Sequence, residues 1–208
     1  MTVHSQNQPN TEKRILKFLA SYPDGPLTVV VGYASVWGLA WLNDNTKGRK
    51  VTLLIGDARE RFFSKATDGD KENAMKFLER ADVSVSNWYR KQRNPSEAHM
   101  KAWLIEAATQ SAVLTGSANL TKKGIQQNQE LMVEASGSDL SYSIGEIKQL
   151  KTKSWDCQER LSGYISGIEV KKKEEKDWIE VEREFFKSFL IFLGAKWARV
   201  IRKPCQTP

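Results

Sequence analysis

An α/β layered fold is what this sequence predicts, with a mixed, largely parallel sheet flanked by helices and a helical C-terminal extension. Three observations predict it. Short apolar, β-branched runs that end in turn residues alternate with segments of helical periodicity. Such alternation places strands side by side between layers of helix. Past residue 134 strand-like runs give way to polar helical stretches, and from Lys171 to about Arg202 comes a charged run whose apolar residues cover too wide a face for a solvated helix.

Taken in order, residues 1–10 read as a disordered tail, polar and without an apolar core segment. Residues 11–21 carry Ile15, Leu16, Phe18 and Leu19 at helical spacing, and Tyr22-Pro23-Asp24-Gly25-Pro26 breaks the chain. Residues 27–31 form an unbroken apolar run, as expected of a strand buried on both faces. A short helix over 36–42 holds Trp37 and Trp41, and residues 51–55 repeat the strand pattern before Gly56-Asp57. Residues 58–81 read as mostly helix, interrupted near 67–70, and 83–85 as a short strand. Residues 88–96 are a basic loop with Arg90, Lys91 and Arg93.

The stretch 97–134 carries the chemistry. His99, Lys101 and Trp103 alternate with Met100, Ala102 and Leu104, so an extended chain points His99 and Lys101 to one face. Their spacing is about 7 Å along the backbone. A second apolar run, 112–114, ends in Gly116-Ser117-Ala118-Asn119, and Asn128-Gln129-Glu130 leads into a third, 131–133. Polar groups at the ends of short strands suit an anion better than a core.

His99-x-Lys101, then Gly116-Ser117-x-Asn119, then Asn128-x-Glu130 resembles the signature of the phospholipase D-like superfamily, in its small single-motif nuclease form. The family's Asp position holds Glu106 here, and nuclease-type members vary at that place. The resemblance implies a phospholipase D-like catalytic domain over 11–160, with 161–208 as a helical extension. It implies a phosphodiesterase that cleaves DNA without metal or cofactor through a covalent phosphohistidine, with RNA as the other candidate polymer. In that reading His99 is the nucleophile, while Lys101 and Asn119 bind the phosphoryl oxygens. Ser117 positions the phosphate or its loop, and Glu130 holds the His99 ring. Imidazole suits both nucleophile and acid, since its ordinary pKa lies near 6.5. The chemistry asks for two histidines and the chain offers one such motif, so a homodimer with a composite site is expected.

The 208 residues carry a net charge of +7, which favours a polyanion. Arg90, Lys91, Arg93, Lys122 and Lys123 flank the motif as candidate phosphate contacts, and Trp88, Tyr89 and Trp103 as candidate stacking residues, with core packing the better use for Trp103. Cys157 and Cys205 are far apart and match no metal or disulfide pattern. The absence of a signal-like segment and of a long apolar run leads to the expectation of a cytoplasmic protein without a membrane span. A metal-independent nuclease acting on DNA is the leading reading, with the catalytic part of a restriction or defence system as a setting for it. A phospholipase D-type lipid phosphodiesterase and a catalytically silent nucleic-acid-binding module are the alternatives.

Overall fold

The computed structural model describes residues 10–58, 60–63, 65–86, 100–108, 110–128 and 130–167. The charged C-terminal run and the tail 1–9 lie outside them. Among the described residues, seven strands make one sheet in the order β6-β5-β4-β1-β2-β3-β7. They are β1 (Leu27–Tyr33), β2 (Val51–Asp57), β3 (Ala81–Val85), β4 (Ala102–Glu106), β5 (Ser111–Gly116), β6 (Met132–Glu134) and β7 (Trp155–Asp156).

The mixed sheet between helices is as expected, but its balance is not. Only β1–β2 and β2–β3 pair in parallel, and the other four pairings are antiparallel. Connection length explains this. A helix joins β1 to β2 and another joins β2 to β3, whereas residues 107–110 alone join β4 to β5. So short a link permits only a hairpin.

Helix α1 (Thr11–Ser21) starts at Asn10, whose side chain accepts the Lys13 N–H at 2.9 Å, so this residue caps a helix instead of closing a tail. Helix α2 (Val36–Asn45) is buried on most sides. Residues 58–81 resolve into a 3-10 turn (Glu60–Phe62) and α3 (Asp68–Arg80), with Ala81 already in β3. Arg80 sends its guanidinium to the Asn43 and Leu42 carbonyls, closing the C-terminal turn of α2. Helices α4 (Gly137–Thr152) and α5 (Gln158–Ser166) follow β6, with β7 between them. Helix α5 runs through the boundary expected at residues 160 and 161 and buries Leu161 and Ile165 in the main core.

Alternation along the strands gives the sheet two apolar faces. Val29, Val31, Leu53, Ile55, Trp103 and Ile105 pack with α1, α2, α3 and α5. Val30, Leu54, Ala102, Leu104 and Val113 pack with Ile147 and Leu150 of α4. Covering both faces is why residues 27–31 and 51–55 are apolar except for Thr28 and Thr52, which are themselves buried. The open edge of β6 is partly closed by α1: Arg14 donates to the Met132 carbonyl at 2.5 Å, and the Tyr22 hydroxyl to Glu134 at 2.6 Å. Cys157 is buried, and desolvation pushes its thiol up to about 12, which suits an inert core residue. Cys205 lies outside the described residues.

Candidate active site

Antiparallel pairing collects the motif at one end of the sheet. Ala102 pairs with Thr115 and Gly116 with Met132, so the start of β4, the end of β5 and the approach to β6 are adjacent. Val30 pairs with Ala102, which brings the end of β1 beside them. Lys101, Ser117, Asn119 and Glu130 all stand at this end. His99 lies outside the described residues, as do Arg90, Lys91, Arg93, Trp88 and Tyr89.

Lys101 precedes β4 and is only 9% exposed. Its carbonyl accepts the Gly116 N–H at 3.0 Å, which fixes its backbone against β5. Burial lowers the pKa of its ammonium, and the negative charge of Glu130 opposes that shift. A partly desolvated cation has a strong demand for an anion, and at a strand end that anion can be a ligand.

Glu130 is held by both carboxylate oxygens. The Ser117 hydroxyl donates to one at 2.5 Å, and the Asn128 side-chain amide to the other at 3.0 Å. Ser117 in turn accepts the Leu131 N–H at 3.2 Å. Its one proton is thus committed to a carboxylate. Gly116 is required by close approach, since a methyl group there would overlap the Leu131 carbonyl oxygen and the Met132 sulfur.

Asn119 is tied to β1. Its Oδ1 accepts the Tyr33 N–H at 3.0 Å, which fixes the amide orientation and leaves Nδ2 as the donor side. The next residue continues the seam: Leu120 donates to the Tyr33 carbonyl at 3.1 Å and accepts from Ser35 at 3.0 Å. Asn119 alone could also have served as a helix N-cap. That task falls to Thr121, whose hydroxyl accepts the Gly124 N–H at 3.0 Å. Gly38 of α2 lets the helix touch this segment, because a methyl group there would overlap the Leu120 carbonyl oxygen. Lys122 and Lys123 follow on the surface at a π-helical turn, Lys123–Gln127, and are exposed.

Trp103 is 1% exposed and meets Trp41 edge-on at 6.0 Å, so it belongs to the core and cannot stack a base. Glu106 pairs with Lys148 at 3.1 Å at the opposite end of β4, away from the other four. Two contributors escaped the sequence reading. Asn128 was legible only as part of the Asn-x-Glu spacing, and Tyr33 acts through its backbone, which leaves no signal in residue type. Among the described residues no group of three or more His, Cys, Asp or Glu is arranged to hold a metal ion. Among the same residues no helix is long and apolar enough to cross a membrane.

Comparison with known proteins adds a family. The family model described as "Cardiolipin synthase, PLD-like domain" matches residues 37–150, more than half of the chain. NucT from Helicobacter pylori, a solved structure, is similar at 12% identity and a TM-score of 0.47, over 69% of this chain and 89% of that one. No curated protein matches the chain.

Proposed function

Because the chain belongs to the phospholipase D-like family, we propose that it is a nuclease that cleaves DNA phosphodiesters through a phosphohistidine. The observation that carries this is the meeting of a buried Lys101, an oriented Asn119 amide and a doubly held Glu130 at one sheet end. His99 stands two residues before Lys101 in the sequence. Its imidazole nitrogen attacks phosphorus, forming a P–N bond as the P–O bond to the leaving group breaks. His99 of the partner subunit protonates the leaving oxygen, and water then hydrolyses the P–N bond with proton transfers reversed. Lys101 and the Asn119 Nδ2 protons offset charge on the non-bridging oxygens. Glu130 accepts the second ring N–H of His99 and holds its tautomer. Ser117 acts on Glu130 and the loop and not on the phosphate.

The composite site calls for a C2 homodimer. Support for a contact near the site comes from Leu131, 68% exposed, and Val133, 45% exposed, beside Glu130. The excess of positive charge and the exposed Lys122 and Lys123, with Arg90, Lys91 and Arg93, favour a polynucleotide over a lipid. A cytoplasmic role in restriction or defence suits such an activity.

Incubation of the purified chain with plasmid and with fluorescent phospholipid vesicles, both in EDTA, tests the proposal. Plasmid nicking without lipid turnover is expected. Lipid turnover alone, or nicking only after Mg²⁺ is restored, would contradict it.

A further inference from the structure

Beside Asn119 the rings of Tyr33 and Phe62 meet, with centroids 5.1 Å apart and planes inclined by 53°. The Arg61 guanidinium carbon lies 4.9 Å from the centre of the Phe62 ring. Both rings are half-buried and Arg61 is exposed. We propose that this aromatic and cationic shelf is a stacking subsite for an unpaired base next to the phosphate under attack. The proposal rests on the nuclease reading and names the part of the substrate that the reading leaves open.

Placement supports it in three ways. The Tyr33 N–H holds Asn119 at 3.0 Å, so the shelf and the phosphate donor share one piece of backbone. The β1–β4 pairing ends at Val30–Ala102, one residue from Lys101, and three residues further along β1 Tyr33 is bonded to Asn119 and Leu120, so the shelf lies at the sheet end that also holds Lys101. Third, Phe62 packs against the main core, which pins its ring, and a pinned ring loses little entropy when a base covers it.

Ring chemistry favours a base over a second phosphate as the occupant: the shelf offers two aromatic rings, and Arg61 adds a planar cation on which a base also stacks.

The test uses the full chain carrying His99→Ala, so that strands stay intact, titrated with a short oligothymidylate and an abasic strand of equal length and charge. The thymidylate is expected to bind about 10-fold more tightly, the range of one stacked base. Phe62→Leu in the same background should bring the two strands to near-equal affinity, and Phe62→Trp should keep the preference. Tyr33→Leu serves as a second variant, with thermal melting to show that each protein is folded. Equal affinity for both strands in the parent, or a preference that survives both Leu substitutions, overturns the subsite. Failure of the nuclease reading shows separately, as wild-type protein that leaves DNA uncut while the binding preference is still measured.

Discussion

Ser117 donates its hydroxyl proton to Glu130 over 2.5 Å while taking the Leu131 N–H at 3.2 Å, so one small side chain ties the β5 turn to the approach of β6. Removing that hydroxyl leaves the Asn128 amide as the hydrogen bond that holds Glu130 among the described residues. Ser117→Ala is expected to lower kcat about 10- to 100-fold, as loss of a group that orients another typically does, with little change in KM. Steady-state kinetics on a short duplex measure this. A raised KM with unchanged kcat would instead assign Ser117 to substrate binding.

Lys101 gives a prediction about pH. Burial lowers its pKa, so its ammonium is lost at a lower pH than that of an ordinary lysine. The sign follows for stability: the folded state disfavours the charged form, and the penalty stands in full below the lowered pKa. It fades as pH rises through that pKa towards the ordinary value near 10.4. On the proposed mechanism activity needs the charge and so falls over the same rise. Lys101→Met is expected to be inactive yet to melt above wild type at neutral pH. A lower melting temperature would show that the ammonium stabilises the fold.

Gly38→Ala probes the seam between α2 and the Asn119 segment. The added methyl would overlap the Leu120 carbonyl oxygen, a backbone atom that cannot rotate away. A cost of about 1–3 kcal/mol is expected from such overpacking, read as a lower urea midpoint at unchanged m-value. Activity should fall further than stability does, because Leu120 adjoins Asn119. Gly48→Ala makes a poor control, since Gly48 has a positive φ of 77°. Gly69→Ala, which meets open space, is the proper comparison.

Much of this was legible in residue type. The spacing of Lys101, Ser117, Asn119 and Glu130 reads as one site, and the structure brings them to one sheet end, because hairpin strands return every strand terminus to its neighbour. Burial of both faces of β1 and β2 was equally visible, as runs of Val, Leu and Ile interrupted only by Thr28 and Thr52. What stayed hidden is what main-chain atoms do. The Tyr33 N–H that orients Asn119 would be the same on most other residues, and the overlap avoided at Gly38 depends on a partner 82 positions away. The expected excess of parallel pairing failed on loop length: alternating helices dominate the first half of the chain, and the four-residue link after β4 reverses the pattern.

The proposed composite site carries a prediction about oligomeric state. Wild-type chains mixed with excess His99→Ala chains should lose activity beyond dilution, because a heterodimer keeps one imidazole where the proposed mechanism uses two. Sedimentation of the wild type should give a dimer at assay concentration. A fully active monomer would remove the composite site.

The covalent intermediate is the central claim, and trapping it is the most direct measurement. An end-labelled DNA strand is mixed with protein in EDTA, quenched in alkali, and the protein digested for peptide mass spectrometry. The account predicts one protein–DNA adduct, stable in alkali and labile in acid as a P–N bond is, mapping to His99 and absent from His99→Ala. Cleavage without any adduct, or an adduct on Ser117, would contradict it.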